Sequence, residues 1–332
     1  MGSDPVTVSI CLPVRNGQRY LHECIDSILS QTFTDFELII CDNASTDSTE
    51  SICREYVRTD QRVRYIRHPE NIGPAGNHNS GFSFARGKYV HWQAHDDCIT
   101  PDYLARCVEV LERDPSVVLV FPQAKVIDEN SQEIEQYDFT LDTATQSVTK
   151  RFRSMCLAPN RQHRNLEVFG LIRASALRQI PTELEGEYAH SDRVFVVRLA
   201  LLGRFEHIPA PLFISRSHGG QSVQTLPKKH GKKLARFLGP GPLPPPEWWN
   251  PKLANRVVFA DWNLLREYFR SINFTPLNLA QRIGCYLTLG QWIFWFWPKL
   301  VRDLAFAIET LFAHVSRRIS QADEEPETAG ST

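Results

Sequence analysis

Two adjacent carboxylates, Asp96 and Asp97, end the stretch VHWQAHDD and stand just before CITPDY. An apolar strand precedes them, so they sit where a buried strand meets its loop. Adjacent like charges repel, and partial burial raises the cost. Helix capping would be a structural duty, but Thr100-Pro101-Asp102 supplies a cap and a first-turn proline for the helix that follows. A cation would remove the repulsion. Asp42 ends the apolar run FELIIC in the same way. It is either an ordinary loop aspartate or an acceptor for the hydrogen bonds of a base or ribose. Pro13-Val14-Arg15-Asn16-Gly17 is either a plain turn or a nucleotide cradle. Asp47 and Glu50 have capping-box spacing, and a structural role is expected for Asp47.

The elements that would hold these residues alternate. VTVSICLPV, FELIICD, VRYIRH, KYVHWQA and SVVLVFPQAKVI read as strands. QRYLHECIDSILSQ has helical spacing, with Leu21, Ile25, Ile28 and Leu29 on one face. TESICREYV, PAGNHNSGFSFA (weakened by its glycines) and PDYLARCVEVLERD are further helices. Such alternation predicts an α/β domain with a mainly parallel sheet flanked by helices, whose ligands bind beyond the carboxyl ends of the strands. Asp42 and Asp96-Asp97 both fall on that rim. Residues 131–165 are polar and read as a loop or excursion. SDRVFVVRLALLGRF is a helix, PLFIS a strand, 226–250 a Pro-rich linker, 251–318 a helical aromatic C-terminal extension and 319–332 a disordered tail. The expected organisation is thus a domain over 1–225, with halves 1–130 and 131–225, followed by these segments.

The chain has 332 residues, of which 42% are hydrophobic, which fits a globular protein of about two domains. Lys plus Arg is 37 and Asp plus Glu 38, so nothing pulls the chain toward nucleic acid. The eight cysteines form no CxxC pair and sit in apolar runs, as reduced buried thiols do. MGSDPVTVSICLPVRNG enters a strand without a signal-peptide pattern, so a cytoplasmic location is expected.

Taken in order, VSICLPVRNG, YLHECIDSILSQTF, DFELIICDNASTD, ENIGPAGNHNSGFSFARGKYV and HDD with PDYL resemble a family 2 glycosyltransferase, closely over about 130 residues and more loosely from Leu166 to Ser222. The resemblance implies a GT-A fold and a nucleotide-diphosphate sugar donor, UDP-sugar first. It implies that Asp42 reads the base and that Pro13, Val14, Arg15 and Asn16 line the nucleotide, with Asn43, Asn71 and His78 on the same side. Asp96-Asp97 becomes the DxD-type site, with Asp97 the first-choice ligand of Mg²⁺ or Mn²⁺ and Asp96 nearer the ribose or sugar. Two all-oxygen side chains suit such an ion. Asp192, at the start of its helix, becomes the base for the acceptor hydroxyl, a role compatible with helix capping by it or Ser191. His218 matches a position near the diphosphate, as metal ligand, phosphate donor or mere surface residue, and Arg216 is a weaker phosphate candidate.

Some positions depart from the family pattern. Ala94 replaces an aspartate two positions before the pair, His78 stands where many relatives have arginine, and Ser191 replaces an acidic residue. A histidine at position 78 would weaken a phosphate contact or make it pH-dependent. There is no QxxRW motif, which favours single transfers over processive synthesis. The expected activity is an inverting hexosyl transfer to a glycan or lipid-linked acceptor. The alternatives are a catalytically silent sugar-nucleotide binder or membrane-associated relative, and a sugar nucleotidyltransferase. Finally, IGCYLTLGQWIFWFWP is sixteen uncharged residues with Trp292, Trp295 and Phe296 at helical spacing. It is short for a span. Through 283–313 it reads as peripheral contact with the cytoplasmic face of a membrane, as helix packing or dimerisation, or as a span.

Overall fold

The computed structural model describes residues 6–159, 162–180, 186, 188–221, 253, 256 and 258–322, with side chains to 308. The Pro-rich stretch 226–250 and the tail beyond 322 lie outside the described residues. The chain runs β1 (Val8–Val14), α1 (Leu21–Leu29), β2 (Phe36–Asp42), α2 (Thr49–Thr59), β3 (Val63–Arg67), α3 (Gly73–Phe84), β4 (Tyr89–Trp92), β5 (Cys98–Ile99) and α4 (Tyr103–Arg113). It continues with β6 (Val117–Ile127), β7 (Glu133–Tyr137), α5 (Val148–Cys156), a 3₁₀ turn (Leu166–Phe169), β8 (Leu171–Arg173), α6 (Ala174–Leu177), α7 (Ser191–Leu202) and β9 (Arg204–Arg216). Two C-terminal helices follow, α8 (Ala260–Phe274) and α9 (Leu279–Ala322).

Among the described residues, nine strands form one sheet in the order β3-β2-β1-β4-β8-β6-β9-β5, with β7 on β6. Strands β1 to β4 are mutually parallel. β8 enters antiparallel to both β4 and β6, and β9 then runs parallel to β6. The mainly parallel α/β plan is therefore the one expected from the sequence. All seven residues of β2 are buried, as a central parallel strand requires. On α1, Leu21, Cys24, Ile25 and Ile28 face the sheet. The glycines of α3 have a packing reason. A Cβ at Gly81 would lie 2.9 Å from the Cβ of Cys11, so the helix sits directly on β1.

Three local expectations change. α4 begins at Tyr103, with Asp102 as N-cap residue and Thr100 Oγ1 donating to Asp102 Oδ1 at 2.9 Å, so Pro101 precedes the cap rather than opening the helix. Residues 131–165 are not merely an excursion: they contain β7 and α5. The C-terminal helices share the main core, where Leu264, Tyr268, Ile272, Cys285, Leu289 and Trp292 join Phe152 and Phe195. Trp292 is 2% exposed, Phe296 packs partly against that core, and Trp295 is 51% exposed, so the three aromatics do not share one environment.

The α8–α9 junction holds two carboxylates close together. Asp303 Oδ2 accepts the Asp261 backbone N–H at 2.6 Å, and Arg302 pairs with Asp261 at 2.8 Å. Burial, and then the Asp261 carboxylate, push the Asp303 carboxyl up to about 6. The unfolded chain releases this proton near the ordinary carboxylate pKa while the folded chain still holds it. The resulting contribution to stability is present at low pH and lost as pH rises toward 6. Asp303→Asn should therefore raise the melting temperature at pH 7 to 8 and leave it unchanged below about pH 4. Thermal unfolding across that range checks this, and an equal shift at both ends would contradict it.

Candidate active site

The carboxyl ends of β1, β2 and β4 meet on one rim. At the first of these, Asn16 takes a left-handed φ of 54° and stitches two loops together. Its N–H donates to Ser45 Oγ at 2.9 Å, and its Oδ1 accepts the Thr46 N–H at 2.9 Å. The next residue must be glycine, because a Cβ at Gly17 would lie 2.6 Å from Val14 Cγ2 and 2.8 Å from the His95 ring. Val14 pairs with Asp42 and Pro13 with Cys41 in the β1–β2 register, while Arg15 is exposed at the turn. Asp47 is structural, as expected, accepting from the Thr49 N–H and hydroxyl and from the Gln18 N–H.

Asp42 is fully buried. Its Oδ1 accepts the Ser45 N–H at 2.9 Å and its Oδ2 the Tyr65 hydroxyl at 2.6 Å, with Arg67 Nε 3.6 Å away. Asn43 donates to Asn71 Oδ1 at 2.8 Å and to the Gly73 carbonyl at 3.1 Å, and accepts the Ile72 N–H at 2.8 Å. This clamp fixes the entry to α3. On α3, His78 stacks on Trp92 at 4.4 Å with Phe195 edge-on at 5.9 Å. Burial lowers its pKa to about 3, so the ring is neutral at working pH. The pH-dependent contact expected from this histidine is not a property of the buried ring.

Asp96 and Asp97 follow β4, and the end of β9 lies alongside because β5 pairs antiparallel with it. The Arg216 N–H donates to Asp97 Oδ1 at 2.7 Å and its Nε–H to the Asp96 carbonyl at 3.1 Å. Its Nη1 reaches Ser131 Oγ at 2.9 Å and the Asp128 carbonyl at 3.3 Å, and its Nη2 pairs with Glu23 at 2.6 Å. Arg216 is 1% exposed and lies over the Tyr20 ring. It is thus a buried organiser of this corner, and the phosphate-binding role considered for it gives way to that duty. His218 Nδ1 accepts the Gly220 N–H at 3.1 Å, which leaves Nε2 as the donor to Asp96 Oδ2 at 3.0 Å. Metal ligation by His218 would require that nitrogen to lose its proton.

Asp97 is 5% exposed. Burial, then the neighbouring Asp96 carboxylate, push its carboxyl well above the usual range, against the pull of the Arg216 and Ser215 hydrogen bonds. Among the described residues, no group of three His, Cys, Asp or Glu side chains is placed to hold a metal ion. The pair nonetheless fits a hard cation bound through one or two carboxylates, with its other positions on water and phosphate. Such an ion would favour the charged form of Asp97 that burial and Asp96 disfavour.

Asp192 lies in the first turn of α7. The N-cap residue is His190, in the left-handed region at φ 70° and without a side-chain cap bond, so neither Ser191 nor Asp192 caps the helix. Asn165 Nδ2 donates to Asp192 Oδ2 at 3.0 Å. Asn165 is itself left-handed, at φ 57°, and among the described residues its buried Oδ1 has no hydrogen-bond partner; neither has the buried Ser191 Oγ. Two orphaned polar atoms beside a carboxylate suit a polar ligand. Phe195, one turn on, packs 5.7 Å from Trp92, which sets the start of α7 against the end of β4. Asn165, Tyr65 and Glu23 were not visible as site residues in the sequence. Their roles depend on partners 27, 23 and 193 positions away.

Comparison with known proteins agrees with this architecture. TarS 1-349 of S. aureus, solved in complex with UDP-GlcNAc, matches over 92% of this chain and 81% of its own with a TM-score of 0.63. At 16% identity that likeness shows the shared GT-A fold alone. The chain is 36% identical over 121 residues to a chondroitin synthase of Escherichia coli, covering 36% of this chain and 18% of that one. It is 34% identical over 128 residues to an uncharacterised glycosyltransferase of Rickettsia prowazekii, covering 38% and 39%. The matched regions thus span less than half of these curated relatives. Residues 9–180, just over half of the chain, match the family model described as glycosyl transferase family 2, and the chain belongs to that family of sugar-transferring enzymes.

Proposed function

We propose that this protein transfers a hexosyl group from a nucleotide-diphosphate sugar, a UDP-sugar first, to a hydroxyl of a glycan or lipid-linked acceptor. It does so in the cytoplasm, with inversion and one transfer per encounter. The observation that carries the reading is the hydrogen bond from Asn165 to Asp192 at the start of α7, a helix whose Phe195 packs on Trp92 at the end of β4, ahead of Asp96 and Asp97. Family membership supports sugar transfer, and the nucleotide sugar held by TarS supports the donor class. The E. coli chondroitin synthase is matched over only 18% of its length, so its name carries no polymerising activity to this chain.

Asp42 and the Asn43–Asn71 clamp hold the loops that meet the base, and Pro13 to Asn16 line the nucleotide. Asp96 and Asp97 would hold Mg²⁺ or Mn²⁺, which supplies positive charge to the leaving diphosphate. His218 Nε2–H donates on that side. Asp192 takes the proton of the acceptor hydroxyl as the oxygen attacks the anomeric carbon. The bond from that carbon to the diphosphate oxygen breaks on the opposite face, and its electron pair leaves with the nucleotide. In-line displacement inverts the anomeric configuration.

Nucleotide release from UDP-, GDP- and dTDP-sugars, with and without Mn²⁺, tests the donor side. One donor should give metal-dependent release that Asp97→Asn abolishes. Asp192→Asn should lower transfer by roughly a hundred- to ten-thousandfold with donor binding unchanged. Retained configuration in the product would overturn the mechanism. Donor binding indifferent to Asp192→Asn, with no transfer to any acceptor, would favour the silent-binder reading.

Asn165 gives a separate prediction. Aspartate tolerates the left-handed backbone there but offers no donor to Asp192 and adds a like charge. Asn165→Asp should lower kcat roughly ten- to hundredfold, the worth of a hydrogen bond to a charged group. It should also move the acidic limb of the kcat/KM profile to higher pH, leaving donor KM unchanged. A fall in kcat with an unmoved profile would mean that Asn165 is merely structural.

A further inference from the structure

The C-terminal helix pair carries an outward face that the core does not use. The inner side of α9, with Cys285, Leu289, Trp292 and Leu300, belongs to the main core. On the opposite side Leu287, Phe294, Trp297, Val301, Leu304 and Ile308 recur at intervals of three, four and seven residues, all exposed, Phe294 to 75%. They span about 30 Å of helix. α8 widens this face. Trp262 is exposed and donates from Nε1 to the Leu300 carbonyl at 3.0 Å, and the exposed Phe269 ring lies 5.0 Å from that of Tyr286. Among the described residues no helix is long and apolar enough to cross a membrane.

The charges around this face have one sign. Between residues 260 and 308 there are three carboxylates, Asp261, Glu267 and Asp303, and all are buried. Glu267 is shared by Arg198, Arg266 and Arg270 at 2.9, 3.2 and 2.9 Å. Three guanidiniums on one carboxylate leave a positive surplus, and Arg266 and Arg270 are exposed at the rim.

We propose that the α8–α9 pair docks the protein on an anionic phospholipid surface, its apolar face entering the headgroup boundary and Arg266 and Arg270 meeting lipid phosphates. A second copy of this chain fits less well. A two-fold interface would set the same arginine rim against itself, with no exposed carboxylate between residues 260 and 308 to pair it. The face is also wider than a coiled-coil seam, because Ile293 and Trp295 are exposed as well.

The helix pair that carries this face packs with its inner side against α7, through Arg198 and Glu267. His190, two residues before Asp192, is held neutral chiefly by burial, with the carboxylates of Asp261 and Asp192 and the cations of Arg193 and Lys299 around it. Asp261 opens α8 and Lys299 lies in α9. Docking through the outer face would hold α7 one helix layer behind the lipid surface, within reach of a lipid-linked hydroxyl. This last step rests on the proposed transfer; the docking itself does not.

The test uses the full chain with vesicles of phosphatidylcholine alone or mixed with phosphatidylglycerol, without donor or acceptor. Co-sedimentation with the anionic vesicles, weakened by salt, and a blue shift of tryptophan emission are expected. Phe294→Glu with Trp297→Glu should abolish binding, and Arg266→Gln and Arg270→Gln should each weaken it roughly fivefold. Donor hydrolysis should persist in every variant and certifies the fold. Failure to bind either vesicle, or equal binding to both, would overturn the proposal. So would a dimer in sedimentation velocity that Phe294→Glu dissociates and that excludes vesicle binding. Vesicle binding alongside absent transfer would sink the transfer reading alone.

Discussion

Asp97 keeps its carboxyl almost out of water beside a second carboxylate, and the positive charge that makes this corner tolerable is Arg216. One buried guanidinium ties together the end of β9, the turn after β4, α1 through Glu23, and the turn at Asp128–Ser131. Burying such a charge costs several kcal/mol unless its donors are used. Here Nε and Nη1 donate hydrogen bonds, and Nη2 forms an ion pair with Glu23. The compensation is still incomplete: burial and the Asp96 carboxylate hold the Asp97 carboxyl well above the usual range despite Arg216, with His218 giving a hydrogen bond to Asp96. A carboxyl pair that the protein alone does not fully compensate is where the proposed cation would act.

The opposite wall depends on the same kind of anchoring, applied from behind. α7 carries Asp192 at its first turn, and three arginines lock that helix in place. Arg193 donates to the Met155 and Ala158 carbonyls at the end of α5, and Arg151 of α5 returns a bond to the Ala200 carbonyl. Arg198 reaches Glu267 of α8. The aromatic cluster of Tyr268, Phe152 and Trp292 fills the space among these helices. The buried side of the C-terminal helices therefore helps to fix the helix that carries Asp192, because precise placement of a side chain needs rigid elements around it.

What could be read from the sequence follows from what burial does to patterns. β1, β2 and α1 bury continuous or one-sided apolar sets, so their periodicity is visible. Asp96-Asp97 is visible because it violates that logic. β7 is not, since four of its five residues are exposed and no apolar alternation marks it. α5 buries only part of its surface, and much of that lies against α9, more than a hundred positions away. Arg216 shows its charge in the sequence but not its burial, which is why it resembles a phosphate ligand until the fold closes around it. Asn165 shows nothing at all: its value lies in a left-handed backbone and in one hydrogen bond to a distant helix.

Trp292 and Trp295 illustrate the same limit and lead to the function of the helix pair. Three positions apart, they go to opposite fates, one into the core and one outward. A helix apolar on both sides has two surfaces to satisfy, and the protein core satisfies one. Between residues 260 and 308 the chain turns its three carboxylates inward and leaves arginine at the rim. On the inner side Asp303 accepts the Asp261 N–H and the Asp261 carboxylate is among the charges around His190, while the outward side is apolar and cationic. One distribution of charge thus serves both faces: it steadies the start of α7 from within, and it leaves outside a surface whose natural complement is apolar in the middle and anionic at the edge.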